Sequence, residues 1–435
     1  MLETVQAAAV RSFLLVSLVV GATSAGAVVP GAGAGGRPGA AGPVASGLDL
    51  NATAEVLYDS NQLRLTPASA AAGGTGHRDD FRYSPALSGR YSRSTGRISL
   101  VANAAVGRDF FQYNRYLDRN HYLGGGTITY HVGPSCQTSV NGSFASRQGG
   151  VRGSNGVFDD PANADNIGTV IDNVQSTAVY GINAGCGSPS GRLSFGGGYT
   201  HSELSNGSRQ RKFGDSISDT FTGNVGLGIL RPGQLSLNGS YSTIGYPNRK
   251  LLGGAIPAQL LNTGLRTYRI GVSFQRPIGT RLSGTIGASF LHTDPAGGQA
   301  AYNAPAYNLG LTYTASPRLN FNLVGSRDIL PSTSAGALFR VVDTVQFVTH
   351  YKLGRAISVD ANAGLIRNDY RQPFAIPGEA ARRSETTKNV GLGVTYAPRP
   401  LYNLALFVGH TMRQSDPSIF NYDSTKVSAT LAIHL

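Results

Sequence analysis

Apolar and polar residues alternate along the last stretch of the chain. Apolar side chains occupy Val427, Ala429, Leu431, Ile433 and Leu435, with polar or small residues between them. A period of two places successive side chains on opposite faces of a β-strand, so this run predicts a strand with one apolar face. A run of this kind that stops on the final residue is typical of the strand that closes a bacterial outer-membrane β-barrel.

The same alternation recurs at nearly regular spacing through the chain. Turn residues bound each run, and together the runs predict eighteen strands. Single-chain bacterial barrels have an even number of strands, so the predicted fold class is all-β, a transmembrane antiparallel up-and-down β-barrel. The predicted strands are 47–58, 81–92, 97–110, 121–132, 135–146, 174–186, 192–202, 217–229, 234–244, 265–276, 281–293, 305–314, 318–328, 342–352, 356–368, 387–396, 401–412 and 423–435.

The connections between the predicted strands are short and long in turn. Those after even-numbered strands are tight, such as 93–96 and 133–134, whereas those after odd-numbered strands are long and polar, such as 59–80 and 147–173. Outer-membrane barrels have short periplasmic turns and long extracellular loops. A soluble β-sandwich has no reason to keep this alternation over a whole chain, so the pattern favours the membrane barrel.

Each predicted strand has an apolar face and a polar face. Tyr or Phe occurs near the ends of the apolar faces, for example at Tyr58, Phe110 and Tyr130, which predicts two interfacial aromatic girdles. The polar faces then line a lumen. Any water-filled barrel needs a polar wall, so this lining favours a specific glycan channel over a general one only slightly. The candidate pore-lining residues are Asp49, Asn51, Glu55, Arg82, Arg90, Asn141, Arg192, Arg269, Asn320, Asn322, Gln346, Asp360 and Asn362.

The N-terminal residues are typical of a secretory signal peptide. Arg11 precedes the apolar stretch 12–22, and Ala25-Gly26-Ala27 is an A-x-A cleavage site. The apolar stretch is too short for a membrane-spanning helix, so an uncleaved anchor is the weaker alternative. We therefore predict a protein of the Gram-negative cell outer membrane, with a signal peptide at 1–27, a flexible Gly/Ala/Pro-rich periplasmic lead-in at 28–46 and the barrel at 47–435.

Composition agrees with a barrel and limits the partners. The chain has 58 Gly, a mean hydropathy of -0.11 and only 14% charged residues. Lipid-facing and lumen-facing residues cancel in such an average. The net charge is +13, but the arginines are scattered and the chain is predicted to be exported, which disfavours nucleic acid. Arg is expected instead to line the lumen or to meet anionic lipopolysaccharide at the rim, where outer-membrane lipid surrounds the barrel.

No catalytic motif is present. The sequence contains neither G-x-S-x-G nor H-E-x-x-H, and its eight histidines are dispersed. An outer-membrane hydrolase is therefore a remote alternative. We predict that the protein is not an enzyme and needs no metal and no cofactor.

Two cysteines fall on one predicted hairpin. Cys136 begins the fifth predicted strand and Cys186 ends the sixth, on the same apolar face and near the periplasmic rim. In the oxidising periplasm they would form a disulfide if the strand register brings their α-carbons within about 7 Å. Two free thiols are the alternative.

Eighteen strands enclose a lumen wide enough for an aqueous channel unless a loop narrows it. The loop 147–172 contains Asp159, Asp160 and Asp165 and is a candidate constriction loop. The loop 245–264 is the other candidate, because its leucines would be costly in open water.

Two segments resemble a known family. The stretch 57–65 (LYDSNQLRL) ends the first strand, and the stretch 113–118 (YNRYLD) is an aromatic run followed by Leu-Asp. These segments resemble outer-membrane β-barrel proteins of exopolysaccharide biosynthesis clusters, EpsL-type members of the β-barrel porin 2 group. Together they cover roughly the first 120 residues. The resemblance implies passage of a secreted exopolysaccharide across the outer membrane, together with periplasmic export machinery.

Two function classes therefore compete. The first is a polysaccharide-export channel, as the resemblance implies. The second is a general or nutrient-specific diffusion porin that passes small polar solutes through the lumen. A structural or adhesive barrel is a distant third.

Overall fold

The computed structural model describes residues 47–64, 77–148, 173–187, 192–208, 212, 214–228, 233–249, 264–296, 300–332, 337, 339–371 and 383–435. The predicted signal peptide and lead-in lie outside these residues. The described chain forms one closed antiparallel sheet of 18 strands. Each strand pairs with its neighbours in sequence, and the first pairs with the last from Asn51 opposite His434 to Asp59 opposite Lys426. The predicted up-and-down β-barrel is therefore confirmed.

The strands are named in chain order. They are β1 (Gly47–Asp59), β2 (Asp80–Thr95), β3 (Ile98–Phe111), β4 (Arg119–His131), β5 (Cys136–Gln148), β6 (Val174–Gly187), β7 (Leu193–Asn206), β8 (Ser216–Leu227), β9 (Gln234–Gly245), β10 (Gly264–Ile278), β11 (Leu282–Pro295), β12 (Tyr302–Ser316), β13 (Leu319–Pro331), β14 (Phe339–Lys352), β15 (Ile357–Arg371), β16 (Ser384–Arg399), β17 (Tyr402–Asp416) and β18 (Tyr422–His434).

The observed strands differ from the predicted ones mainly at their ends. β7 continues to Asn206, where the pattern predicts an end at 202, and β17 continues to Asp416 rather than 412. Both extensions are at the outer rim. Backbone hydrogen bonds continue there, but outward residues such as Glu203 are polar, so alternation no longer marks the strand.

Short turns close the periplasmic rim. Gly96, Gly133 and Gly279 adopt φ values of +56°, +93° and +66° in three of them, a conformation that favours glycine because it has no Cβ. Two 3₁₀ turns, Arg115–Leu117 and Ser418–Phe420, lie at the outer rim. Within the described ranges, none of the helices has the length and apolar character that a membrane crossing requires.

The outward face of the barrel is apolar. Large side chains stand out from it, with Ile270 and Ile286 each 61% exposed. Such a surface is stable in lipid and costly in water. The face ends in aromatic girdles: at the outer end Tyr199, Phe221 and Tyr241 follow one another with ring centroids 5.0 and 6.5 Å apart. The wall of the barrel is therefore a transmembrane surface.

Candidate functional site

The candidate lumen residues that belong to strands lie on the inward face of the wall. Successive residues of a strand point to opposite faces, and residues opposite one another in register share a face. Val140, for example, is 52% exposed on the lipid-facing side, so its neighbour Asn141 points inward. Arg192 precedes β7 at the periplasmic rim, in phase with the lumen face. Inward residues contact each other along the wall, as where Asn183 Nδ2 donates to Asn141 Oδ1 at 3.3 Å.

The periplasmic half of the lumen is open and polar. The Asp49 side chain is 60% exposed and Asp360 is 44% exposed. His350 Nδ1 lies 2.7 Å from Asp360 Oδ1. On β13, Asn322 accepts a hydrogen bond from Thr312 Oγ1 at 2.9 Å. This half of the wall presents amides, carboxylates and imidazoles to water.

Burial of the inward side chains rises steeply toward the outer mouth. On β15, Asn362 is 8% exposed, and further out Ile366 and Asn368 are 1% and 0% exposed. On β1 the exposed Asp49 gives way to Leu57, which is 1% exposed. In the described residues the lumen wall is therefore exposed in its periplasmic half and lined by closely packed side chains near the cell exterior.

The outer end of the β13–β14 hairpin folds into the lumen. Its residues Ile329, Phe339 and Val341 are at most 4% exposed and pack in one cluster with Leu265 of β10 and Leu291 of β11. Those two leucines are on the inner wall, because their outward neighbours on β10 and β11 face lipid. The hairpin thus lies against the inside of the barrel instead of rising into solvent.

An ion pair is further evidence that the β13–β14 hairpin folds into the lumen. Arg269 of β10 pairs with Asp328 of β13, although β11 and β12 separate these strands in the sheet. Neighbouring strands lie about 4.8 Å apart, so strands this distant meet only if one leaves the wall. Near the tip, Arg249 Nη2 donates to the backbone oxygen of Ser332 at 2.7 Å, and the Arg249 guanidinium lies 3.7 Å from the centre of the Tyr246 ring.

This hairpin narrows the outer end of the described lumen, and we call it the constriction. The predicted constriction loop with Asp159, Asp160 and Asp165 lies outside the described residues, as does most of the loop 245–264. Sequence reasoning missed the hairpin because its strands were predicted to end at 328 and to begin at 342. One feature of the sequence could have revealed it. Residues 329–330 and 341–342 are apolar at successive positions, so both faces of each strand are apolar there. This is expected of a strand packed against protein on both sides, whereas a strand in the barrel wall has only one apolar face.

Buried charged groups lie beside the hairpin. Arg413 and Glu385 form an ion pair with side chains 4% and 0% exposed. Tyr370 Oη and Asn368 Nδ2 each donate to the Glu385 carboxylate at 3.3 Å. Arg340 in turn donates to Asn368 at 3.3 Å. Together these groups join β14, β15, β16 and β17 at the outer mouth.

The first segment of the family resemblance holds β1 against β18, the two strands that close the barrel. We call this group of contacts the seam clamp. Arg64 pairs with Asp59 at 2.9 Å, and Ser424 of β18 donates to Asp59 at 2.6 Å. Asn61 donates to the backbone oxygen of Asp423 at 2.9 Å. These groups lie at the outer rim, beyond the girdle residue Tyr58. Burial alone would lower the pKa of Arg64, but the Asp59 carboxylate raises it above its ordinary value.

The second segment of the resemblance has a similar structural role. Asn114 Nδ2 donates to Asp80 at 2.9 Å and to the backbone oxygen of His77 at 2.9 Å. Asp118 accepts a hydrogen bond from the Phe111 backbone at 2.7 Å, and the Leu117 side chain is fully buried. Both segments therefore hold the described ends of the first two outer loops against the barrel mouth.

Glu55 and Arg82 lie next to this clamp. Arg82 Nη2 lies 2.9 Å from Glu55 and Arg82 Nε lies 3.8 Å from Asp109. The Arg82 side chain is 5% exposed, so it lies in the wall of the mouth and not in the open lumen.

The two cysteines lie directly opposite each other in the register of β5 and β6. Their α-carbons are 4.1 Å apart and their sulfur atoms are bonded. The pair is at the periplasmic rim, far from the constriction. Among the residues that the structure describes, no group of His, Cys, Asp and Glu is arranged to hold a metal ion.

A closed antiparallel barrel with a lipid-facing wall and a polar lumen defines the class of this protein. It is an outer-membrane β-barrel of a Gram-negative bacterium, with the architecture of a channel.

No protein-family model matches the chain, and no curated protein matches it. Among solved structures, the chain is similar to Pseudomonas aeruginosa OccK2 (OpdF), with 10% identity, 89% of this chain and 98% of that chain covered, and a TM-score of 0.47. It is also similar to the outer membrane protein opdK of the same organism, with 10% identity, coverages of 89% and 98%, and a TM-score of 0.45. A mutant of the ferric enterobactin receptor PfeA has 9% identity, coverages of 89% and 81%, and a TM-score of 0.43.

Proposed function

We propose that this barrel is a diffusion channel for small polar solutes. The observation that carries the proposal is the β13–β14 hairpin, whose outer end packs against the inner wall through Phe339 and the Arg269–Asp328 ion pair. A mouth narrowed by packed side chains suits small solutes better than a polymer. The polar side chains of the open half, including Asn141, Asn322 and Asp360, would replace part of the hydration of a passing solute.

The test is solute uptake by vesicles that contain the purified barrel. Swelling rates in an osmotic assay should fall steeply from monosaccharides to trisaccharides, and dextran should not enter. Uptake without dependence on size, or no uptake of any solute, would overturn the proposal.

The second candidate is export of a secreted exopolysaccharide, in contact with periplasmic machinery. It is supported by the two segments that resemble the exopolysaccharide-cluster barrels, which lie together at the mouth. A strain that lacks the gene should then secrete less glycan. Normal secretion would reject export and leave the diffusion channel.

We further propose that lipopolysaccharide contacts one side of the outer rim. Arg327, Arg367 and Lys388 point outward there. Arg327 is opposite the outward-facing Tyr307 in register, and Asp343 lies between the two arginines. Guanidinium and ammonium groups at this height suit phosphate groups of the outer leaflet. Changing the three basic residues to Gln should reduce the phosphorylated glycolipid that copurifies with the barrel, and an unchanged amount would argue against this contact.

A further inference from the structure

In the described strands, one aromatic side chain faces the lumen in the middle of the wall, below the narrowed mouth. Phe407 lies in the middle of β17, between Leu406 and Val408, which are 50% and 45% exposed to lipid. Its register partners Gly393 and Ser428 are on the inward face. Phe407 therefore points inward and is half-buried. Among the other inward aromatic side chains of the described strands, Phe111, Tyr370 and Tyr422 are at most 6% exposed. Tyr302 is partly buried and packs against the hairpin cluster, with its ring centre 5.3 Å from that of Phe339.

The ring of Phe407 packs against Gly391, Gly393 and Gly409, which we call the glycine bed. A Cβ atom at Gly391 or at Gly409 would stand 2.8 Å from atoms of the ring, and one at Gly393 would stand 3.7 Å from it. All three glycines are on the inward face of β16 and β17. A ring this close to the backbone lies along the wall, with its other face directed to the lumen. Glycine at these positions is what permits the close approach.

Polar side chains border the ring. Asn362 is opposite Gly391 in register, and its Nδ2 atom is 2.9 Å from the position of a Cβ there. Asp360 is opposite Gly393 and remains 44% exposed. On the other side, Lys426 is opposite Gly409. The Asp360 carboxylate is therefore the exposed polar group beside the ring, whereas the Asn362 amide is buried next to it. The Lys426 charge acts on Asp59 at the junction of β1 and β18.

This combination matches the chemistry of a sugar ring. A pyranose has an apolar face of C–H groups, which packs on an aromatic face, and hydroxyl groups at its edge that bond to amides and carboxylates. An acyclic polyol has the hydroxyl groups but no such face. An aromatic face left open in a water-filled lumen is otherwise unfavourable.

We propose that Phe407, on its glycine bed, is a pyranose-stacking subsite of the channel. The inference rests on the proposed diffusion function and adds the class of solute, namely sugars in ring form. The ring could come from a free sugar or from a segment of a longer glycan, because both offer the same face.

The test is block of the ion current through single channels in planar bilayers. Maltotriose should reduce the current of the wild type reversibly, whereas sorbitol at equal concentration should not. Phe407→Leu keeps an apolar side chain but removes the flat face, and Gly409→Ala keeps Phe407 but displaces its ring. Each substitution should weaken the block by about threefold to tenfold, the range expected for loss of one aromatic contact.

The matched control is Phe274→Leu, which removes a lipid-facing aromatic side chain and should leave the block unchanged. Heat-modifiable migration on gels verifies that each variant is folded.

A wild type that conducts without sugar block, or equal block in wild type and both lumen variants, would overturn the subsite and leave the diffusion function standing. A wild type without any conductance would instead contradict the diffusion function. Block that strengthens from glucose to maltohexaose would assign the subsite to glycan segments, and equal block would assign it to single sugars.

Discussion

At the scale of single residues, the outer mouth is held together by charged side chains that are almost fully buried. The Arg413–Glu385 pair is 4% and 0% exposed, whereas the Arg78–Asp423 pair at the rim is 39% and 53% exposed. A buried charge without a partner is far more costly than an exposed one, because water cannot solvate it. The two pairs should therefore respond very differently to the same substitution.

Arg413→Met leaves the Glu385 carboxylate buried without its guanidinium. We expect the free energy of unfolding to fall by about 3–5 kcal/mol, as measured by urea unfolding in lipid vesicles. The matched substitution Arg78→Met should cost at most about 1 kcal/mol. The double variant Arg413→Met/Glu385→Met should recover part of the loss. Equal losses for Arg413→Met and Arg78→Met would show that burial does not decide the strength of these pairs.

The seam clamp predicts a dependence on pH. Burial alone would raise the pKa of Asp59, but the charges of Arg64 and Lys426 outweigh it and hold the pKa below its ordinary value. The clamp therefore stabilises the folded barrel fully above about pH 5, and this contribution shrinks as the pH falls below about 4, where the unfolded chain takes up the proton. The difference in stability between wild type and Asp59→Asn should follow that course. A difference that grows on acidification would contradict it.

At the scale of strands, the alternation of side chains was sufficient to predict the sheet. Each β-strand inside the bilayer has one lipid-facing side, so the register and the lumen face follow from period two. This is why Asn141 and Asp360 could be assigned inward without a structure. The same rule fails where a strand leaves the wall, since the faces of β13 and β14 near Ile329 and Val341 then pack against protein on both sides.

The hairpin of β5 and β6 carries a second prediction at this scale. The disulfide between Cys136 and Cys186 spans 50 residues of chain, so it restricts the unfolded state and stabilises the fold by up to about 4 kcal/mol. Reduction should lower the free energy of unfolding of the wild type, while Cys136→Ser/Cys186→Ser should not respond to reductant. Two free thiols in non-reducing peptide mapping of the protein from membranes would reject this prediction.

At the scale of the whole molecule, the barrel combines an apolar exterior with a lumen that is open on one side and packed on the other. The sequence predicts the exterior and the lumen wall because both are local to a strand. The sequence does not predict contacts between distant strands, such as the Arg269–Asp328 pair, because the alternation within one strand carries no information about which other strand it will contact. The constriction belongs to this second kind of contact.

The most direct test of the account is therefore single-channel conductance of a barrel with a loosened hairpin. Arg269→Gln/Phe339→Ala removes the ion pair and the buried Phe339 ring, which both hold the hairpin to the inner wall. The control is Arg327→Gln, which breaks the 3.3 Å contact with Asp343 on the outer surface. The account predicts a conductance several times that of the wild type for the double variant and no change for the control. Conductance equal to the wild type in a folded double variant would contradict it.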